Sequence, residues 1–141
     1  MKLAARIRTA NESAQPFVYR VQDRSGRGPF RPGFSRRWCD DNFTHGMLAL
    51  PTWLEEFGAD LIEKQRKPEE FYGTAVRDPG ALGKWFSPTE QARLVRLHFH
   101  VVSMRPTRIL AESENQLVFA RLLPLSMGVV SLPWRSIAEA A

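Results

Sequence analysis

The sequence predicts an α+β domain: a small antiparallel sheet, built from an N-terminal strand and a C-terminal three-stranded meander, with two to three helices packed on one face. Three observations carry that expectation. Residues 17–22 and 98–123 hold β-branched and aromatic residues at strand spacing, residues 53–64 and 79–97 hold apolar residues at helical spacing behind recognisable start signals, and the order β, loop, α, α, β-β-β separates strands from helices along the chain. At 141 residues the chain has the length of one domain. Its 43% apolar and 25% charged residues are ordinary globular composition, which excludes the disordered and membrane classes. We expect a flexible or loosely helical arm over 1–16 and a single α+β domain over 17–141.

The first strand is Phe17-Val18-Tyr19-Arg20-Val21-Gln22, with Phe17, Tyr19 and Val21 on one face and Arg20 and Gln22 on the other. A long loop follows, because three glycines and two prolines between Asp23 and Gly33 forbid regular structure. Thr52-Trp53-Leu54-Glu55 reads as a capping box that opens an amphipathic helix, with Trp53, Leu54, Phe57, Leu61 and Ile62 inward, stopped by Pro68. Asp78-Pro79 and Ser87-Pro88-Thr89-Glu90 each place proline just after a cap residue, so two short helices should meet at a bend near Ser87. From His98 the pattern changes to strands: 98–104, 107–111 and 116–123, separated by Arg105-Pro106 and by Glu112-Ser113-Glu114-Asn115. Residues 129–132 suit a short edge strand, and 134–141 a closing helical turn.

Charge is unevenly placed. The chain carries +5, yet residues 1–38 hold nine basic side chains against two acidic ones, so the remainder is net acidic. Arginine dominates, since the whole chain has only four lysines. Its planar fork suits phosphate and carboxylate better than a lysine ammonium does. The candidate binding residues are therefore Arg24, Arg27, Arg31, Arg36 and Arg37, interleaved with Phe30 and Phe34 as stacking or core aromatics. The partner they imply is a protein or nucleic acid with an anionic surface. No apolar stretch is long enough for a membrane span, residues 1–15 lack the apolar core of a secretory signal, and the lone Cys39 cannot form an internal disulfide. These features point to a cytoplasmic protein.

Other residues invite chemistry. His98 and His100 lie two apart on a predicted strand face, but two ligands do not complete a metal site without His45 or a carboxylate, so no metal is expected. Cys39 sits beside Arg36 and Arg37, which would favour a thiolate, and beside Asp40 and Asp41, which would not. The Gly26-Arg27-Gly28 segment lacks the Gly-Lys-Ser/Thr of a Walker loop, and no helix pattern opens after it as a dinucleotide fingerprint requires. Glu112 and Glu114 place two carboxylates at i, i+2 on one turn, an arrangement suited to a base or to stabilising an oxocarbenium-like centre, or to simple solvation.

Taken together, Tyr19-Arg20-Val21-Gln22-Asp23, Gly26-Arg27-Gly28-Pro29-Phe30, Leu82-Gly83-Lys84-Trp85-Phe86 and Gln116-Leu117-Val118-Phe119 resemble small accessory proteins of phages and prophages. The resemblance implies a setting, an accessory role for a mobile genetic element in the host cytoplasm; within it the arginine-rich loop is expected to bind a host protein or nucleic acid, as an inhibitor of a host or defence system, with no cofactor. The chain is also similar to mono-ADP-ribosyltransferases. That similarity implies NAD as cosubstrate, with Arg20 on the pyrophosphate and Glu114, preceded by Glu112, assisting nicotinamide departure. The family's middle Ser-Thr-Ser has no counterpart, Thr74 in Tyr72-Gly73-Thr74 being its substitute. A structural or assembly component without an active site is the third expectation.

Overall fold

The structure is a computed structural model and describes residues 17–30, Trp38 and 50–140. The expected arm 1–16, together with Arg31, Phe34, Ser35, Arg36, Arg37, Cys39, Asp40, Asp41 and His45, lies outside the described residues.

The α+β class holds. Among the described residues six strands run antiparallel: β1 (Val18–Gln22), β2 (Phe71–Ala75), β3 (His100–Met104), β4 (Arg108–Glu112), β5 (Leu117–Arg121) and β6 (Val130–Leu132). They divide into two sheets, ordered β1-β3-β6 and β2-β5-β4, where the sequence suggested one. The expected meander fails at its first turn. β1 and β6 occupy both edges of β3, so β4 finds no free edge there. After Pro106 the chain pairs elsewhere: Thr107 N–H donates to Ala120 O at 2.8 Å, and β4 continues along β5. β2 was not expected at all, because Gly73 at its centre and Pro68 ahead of it depress any strand signal. The two sheets meet at a bridge between Tyr19 and Val76, whose N–H groups donate to each other's carbonyls at 2.9 Å.

The helices follow their local signals closely. Thr52 Oγ1 accepts from Glu55 N at 3.1 Å, Glu55 Oε1 accepts from Thr52 N at 2.9 Å, and α1 (Trp53–Phe57) begins there. The expected single helix breaks at Gly58, which turns out to φ 93° while its N–H closes onto Leu54 O. α2 (Asp60–Gln65) resumes the chain's helical course. Asp78 caps a 3₁₀ helix (Pro79–Lys84) and Ser87 caps α3 (Pro88–Arg96) through a second capping box, with the bend between them where the prolines place it. α4 (Ser136–Ala140) lays Ile137 against the 3₁₀ helix near Gly83. Arg108 ties α2 to β4: it donates to Glu70 Oε1 at 2.8 Å through Nη2 and to the Gln65 carbonyl that α2 leaves open.

Two clusters form the core. One gathers Val21, Trp38, Val76, Leu82, Phe86, Leu94, Phe99, Val101 and Ile137; the other gathers Val18, Ala75, Val102, Met104, Leu117 and Phe119. β1 serves both, so its two faces are covered and the polar pair Arg20 and Gln22, which alternation would turn to solvent, is buried. His98 also departs from expectation. It lies past the end of α3 with φ 66°, not on a strand, and only His100 belongs to β3.

Candidate functional site

The loop after β1 is held by a single carboxylate. Asp23 Oδ1 accepts from Ser25 N (2.9 Å), Ser25 Oγ (2.7 Å) and Arg27 N (3.0 Å), while Asp23 N donates to Arg27 O and Gly26 N donates to Asp23 O. This is an Asx-type turn, favoured by the Asp-x-Ser-Gly order. Gly26 has φ 88°, and a Cβ there would lie 2.9 Å from the Ser126 backbone nitrogen, so only glycine fits. The result is a shaped loop that displays Arg24 and Arg27 to solvent.

Behind the loop lies a cavity of about 610 Å³. β1 contributes Arg20; the loop contributes Arg27, Gly28 and Phe30; α1 and α2 contribute Trp53 and Ile62. β2 contributes Tyr72, Gly73 and Thr74, the 3₁₀ segment Leu82 with Trp85 and Phe86 after it, and the β5 side Gln116, Val118 and Leu125. Phe30 is half exposed and closes the aromatic group: it meets Trp38 edge-on at 5.0 Å and stacks on Phe86 at 5.8 Å between centroids. The buried Trp38 Nε1 donates to Pro29 O and the half-buried Trp85 Nε1 to Asn115 O, both at 3.1 Å, so each indole is satisfied. Tyr72 is fixed by its hydroxyl, which accepts from Lys67 N and donates to Glu70.

Arg20 sits at this cavity in an unusual state. The residue is 8% exposed, its Nη2 reaches Gly26 O at 3.5 Å, and its Nε has no hydrogen-bond partner. Its guanidinium occupies space that side chains at two glycines would need. A Cβ at Gly73 would overlap Nη1, and one at Gly28 would stand 3.2 Å from Nη2. Burial pushes the guanidinium down to about 10, a fall that Asp23 partly opposes.

The remaining sequence-predicted residues lie apart from it. Glu112 gives both carboxylate oxygens to Arg77, at 2.7 and 2.8 Å on the surface, and Glu114 is exposed on the β4–β5 turn. Neither lines the cavity, so Arg20 is not brought together with the two glutamates, and the transferase arrangement gains no support from the geometry. That turn is organised by a residue the sequence did not single out. Glu56 accepts from Gln116 Nε2 and Ser113 Oγ at 2.9 Å and from Asn115 Nδ2 at 3.2 Å. Desolvation raises the Glu56 carboxyl, and these bonds outweigh it, leaving the group below its ordinary value. Gln116 and the two tryptophans Trp53 and Trp85 were legible only as core or turn residues; Gly73 left no sequence signal. Among the described residues no group of three His, Cys, Asp or Glu side chains is placed to hold a metal, and no helix is long and apolar enough to cross a membrane.

No family model, curated protein or solved structure matches the chain.

Proposed function

We propose that the protein is a binding protein, an accessory product of a mobile genetic element, that engages an anionic surface of a host macromolecule through the loop after β1. The observation that carries the reading is the Asp23 turn. Its three hydrogen bonds fix the loop before any partner arrives, with Arg24 and Arg27 held outward. A preorganised loop loses less entropy on association, and exposed guanidinium groups give both long-range attraction and bidentate contact. The arginine excess of residues 1–38 adds to that field. The mobile-element setting rests on the sequence resemblance, and inhibition of a host or defence component is the role that setting suggests.

The test is affinity for two polyanions, polyglutamate and single-stranded DNA, over a salt series, for the wild type and Arg24→Glu/Arg27→Glu. Wild-type binding should weaken steeply with salt, and the double variant should lose about ten-fold or more at low salt. Preference between the two polyanions identifies the class of partner. Equal binding by the variant and the wild type would falsify the assignment. Light scattering on the free protein distinguishes an assembly component, which would form a large oligomer.

A further inference from the structure

Two buried arginines among the described residues offer an internal comparison. Arg121, 3% exposed, directs Nη1 to Met104 Sδ at 3.0 Å and Nη2 to the Met127 carbonyl. Arg20 is nearly as deep, yet its five N–H donors meet one carbonyl, at the outer limit of hydrogen bonding, and its Nε meets none. The loop carboxylate fills that need only in part: Asp23 attracts the guanidinium, but its Oδ1 accepts from Ser25 and Arg27 and makes no hydrogen bond to Arg20. A buried cation whose burial cost is offset only in part is unfavourable. Packing could have removed the cost with any apolar side chain. Instead two glycines, Gly28 and Gly73, leave room for the guanidinium beside an open volume.

That volume has the size and lining of a small-molecule site. About 610 Å³ falls within the range that such ligands occupy, and such sites are mostly apolar with a few placed polar groups. Trp53, Trp85, Phe86 and Leu125 supply apolar wall. The geometry points to a binding site in this cavity for a small compound that joins one carboxylate or phosphate group, taken by Arg20, to an aromatic body seated among Trp53, Trp85 and Phe86. The head group completes the guanidinium's hydrogen bonds and neutralises it; the rings give the body apolar contact and edge or face packing. This site goes beyond the exposed face of the loop on which macromolecule binding is proposed, and either can fail while the other stands.

The experiment titrates 2-naphthylacetate, 2-naphthyl phosphate and the neutral 2-(2-naphthyl)ethanol into the full chain by calorimetry. One of the two anions should bind at least about ten-fold more tightly than the alcohol, and which one does so identifies the head group. Arg20→Met should remove that preference while alcohol binding stays within about two-fold, which shows that the cavity is intact. Arg20→Lys, which keeps a charge without the planar fork, should retain part of the preference. Equal binding of anions and alcohol by the wild type overturns the site. So does a preference that survives Arg20→Met, or an absence of binding by all three compounds.

Discussion

Replacing Arg20 by methionine should stabilise the protein. The guanidinium is carried into the fold charged, and its fall to about 10 corresponds to a cost of about 3 kcal/mol at about 1.4 kcal/mol per unit. The sign follows from proton counting. Below about pH 10 both states are protonated and the cost is present in full; above it the native state gives up its proton before the unfolded chain does, and the cost shrinks as pH rises. Against this gain stands the long bond to Gly26 O, which contributes no more than about 1 kcal/mol. Methionine matches the arginine stem in length and tolerates irregular space, so little packing is lost. The net expectation is a gain of about 1–3 kcal/mol at pH 7. Urea unfolding followed by tryptophan fluorescence measures it: the midpoint should rise by roughly 1 M with an unchanged slope. A loss of more than about 1 kcal/mol would refute the reasoning, since it would mean that the charge is held by bonds stronger than those seen.

Two further outcomes follow from other groups. Hydrogen bonds from Arg108 hold the Glu70 carboxyl below its ordinary value, so its contribution is complete above about pH 4.5 and is lost as pH falls through the lower native value; Glu70→Gln should lower stability at neutral pH and flatten the acid limb between about pH 5 and 3 in a pH series of urea midpoints. His98 holds φ 66° at the end of α3, where glycine carries no Cβ penalty. His98→Gly should therefore raise stability by about 0.5–1 kcal/mol, read from the same denaturation curves; a decrease would show that the imidazole makes a contact of its own.

What the sequence revealed was set by how local each determinant is. Both capping boxes, Thr52 with Glu55 and Ser87 with Glu90, could be read because a side chain and a backbone N–H three residues apart decide them. The Asp23 turn was legible as a shaped loop for the same reason. Strand partners were not. β3 is claimed by β1, some eighty residues earlier, and by β6, and nothing in the Arg105-Pro106 turn discloses that both edges are taken. The clearest miss is the polar face of β1. Alternation assigns Arg20 and Gln22 to water whenever one sheet is assumed, but Gly73 of the unrecognised β2, the loop glycines Gly26 and Gly28, and the Leu125 carbonyl cover them. The cavity was beyond sequence reading, because its walls come from both sheets, three helical segments and the loop. Arg20 itself was singled out early, through a resemblance that assigned it a different task.

The bridge between Tyr19 and Val76 sets how these parts move. Each sheet is zipped internally by ladders of several bonds, whereas the backbone junction between them consists of two reciprocal N–H donations at 2.9 Å, with the second core cluster packing side chains of both sheets behind it. Regions open in the order of their local stability. Backbone bonding is thinnest at this seam, so amide exchange at Tyr19 and Val76 should precede exchange in the middle of β3 and β5. Because Arg20 stands next to one end of it and Gly73 to Ala75 lead into the other, separation of the two sheets begins beside the buried guanidinium.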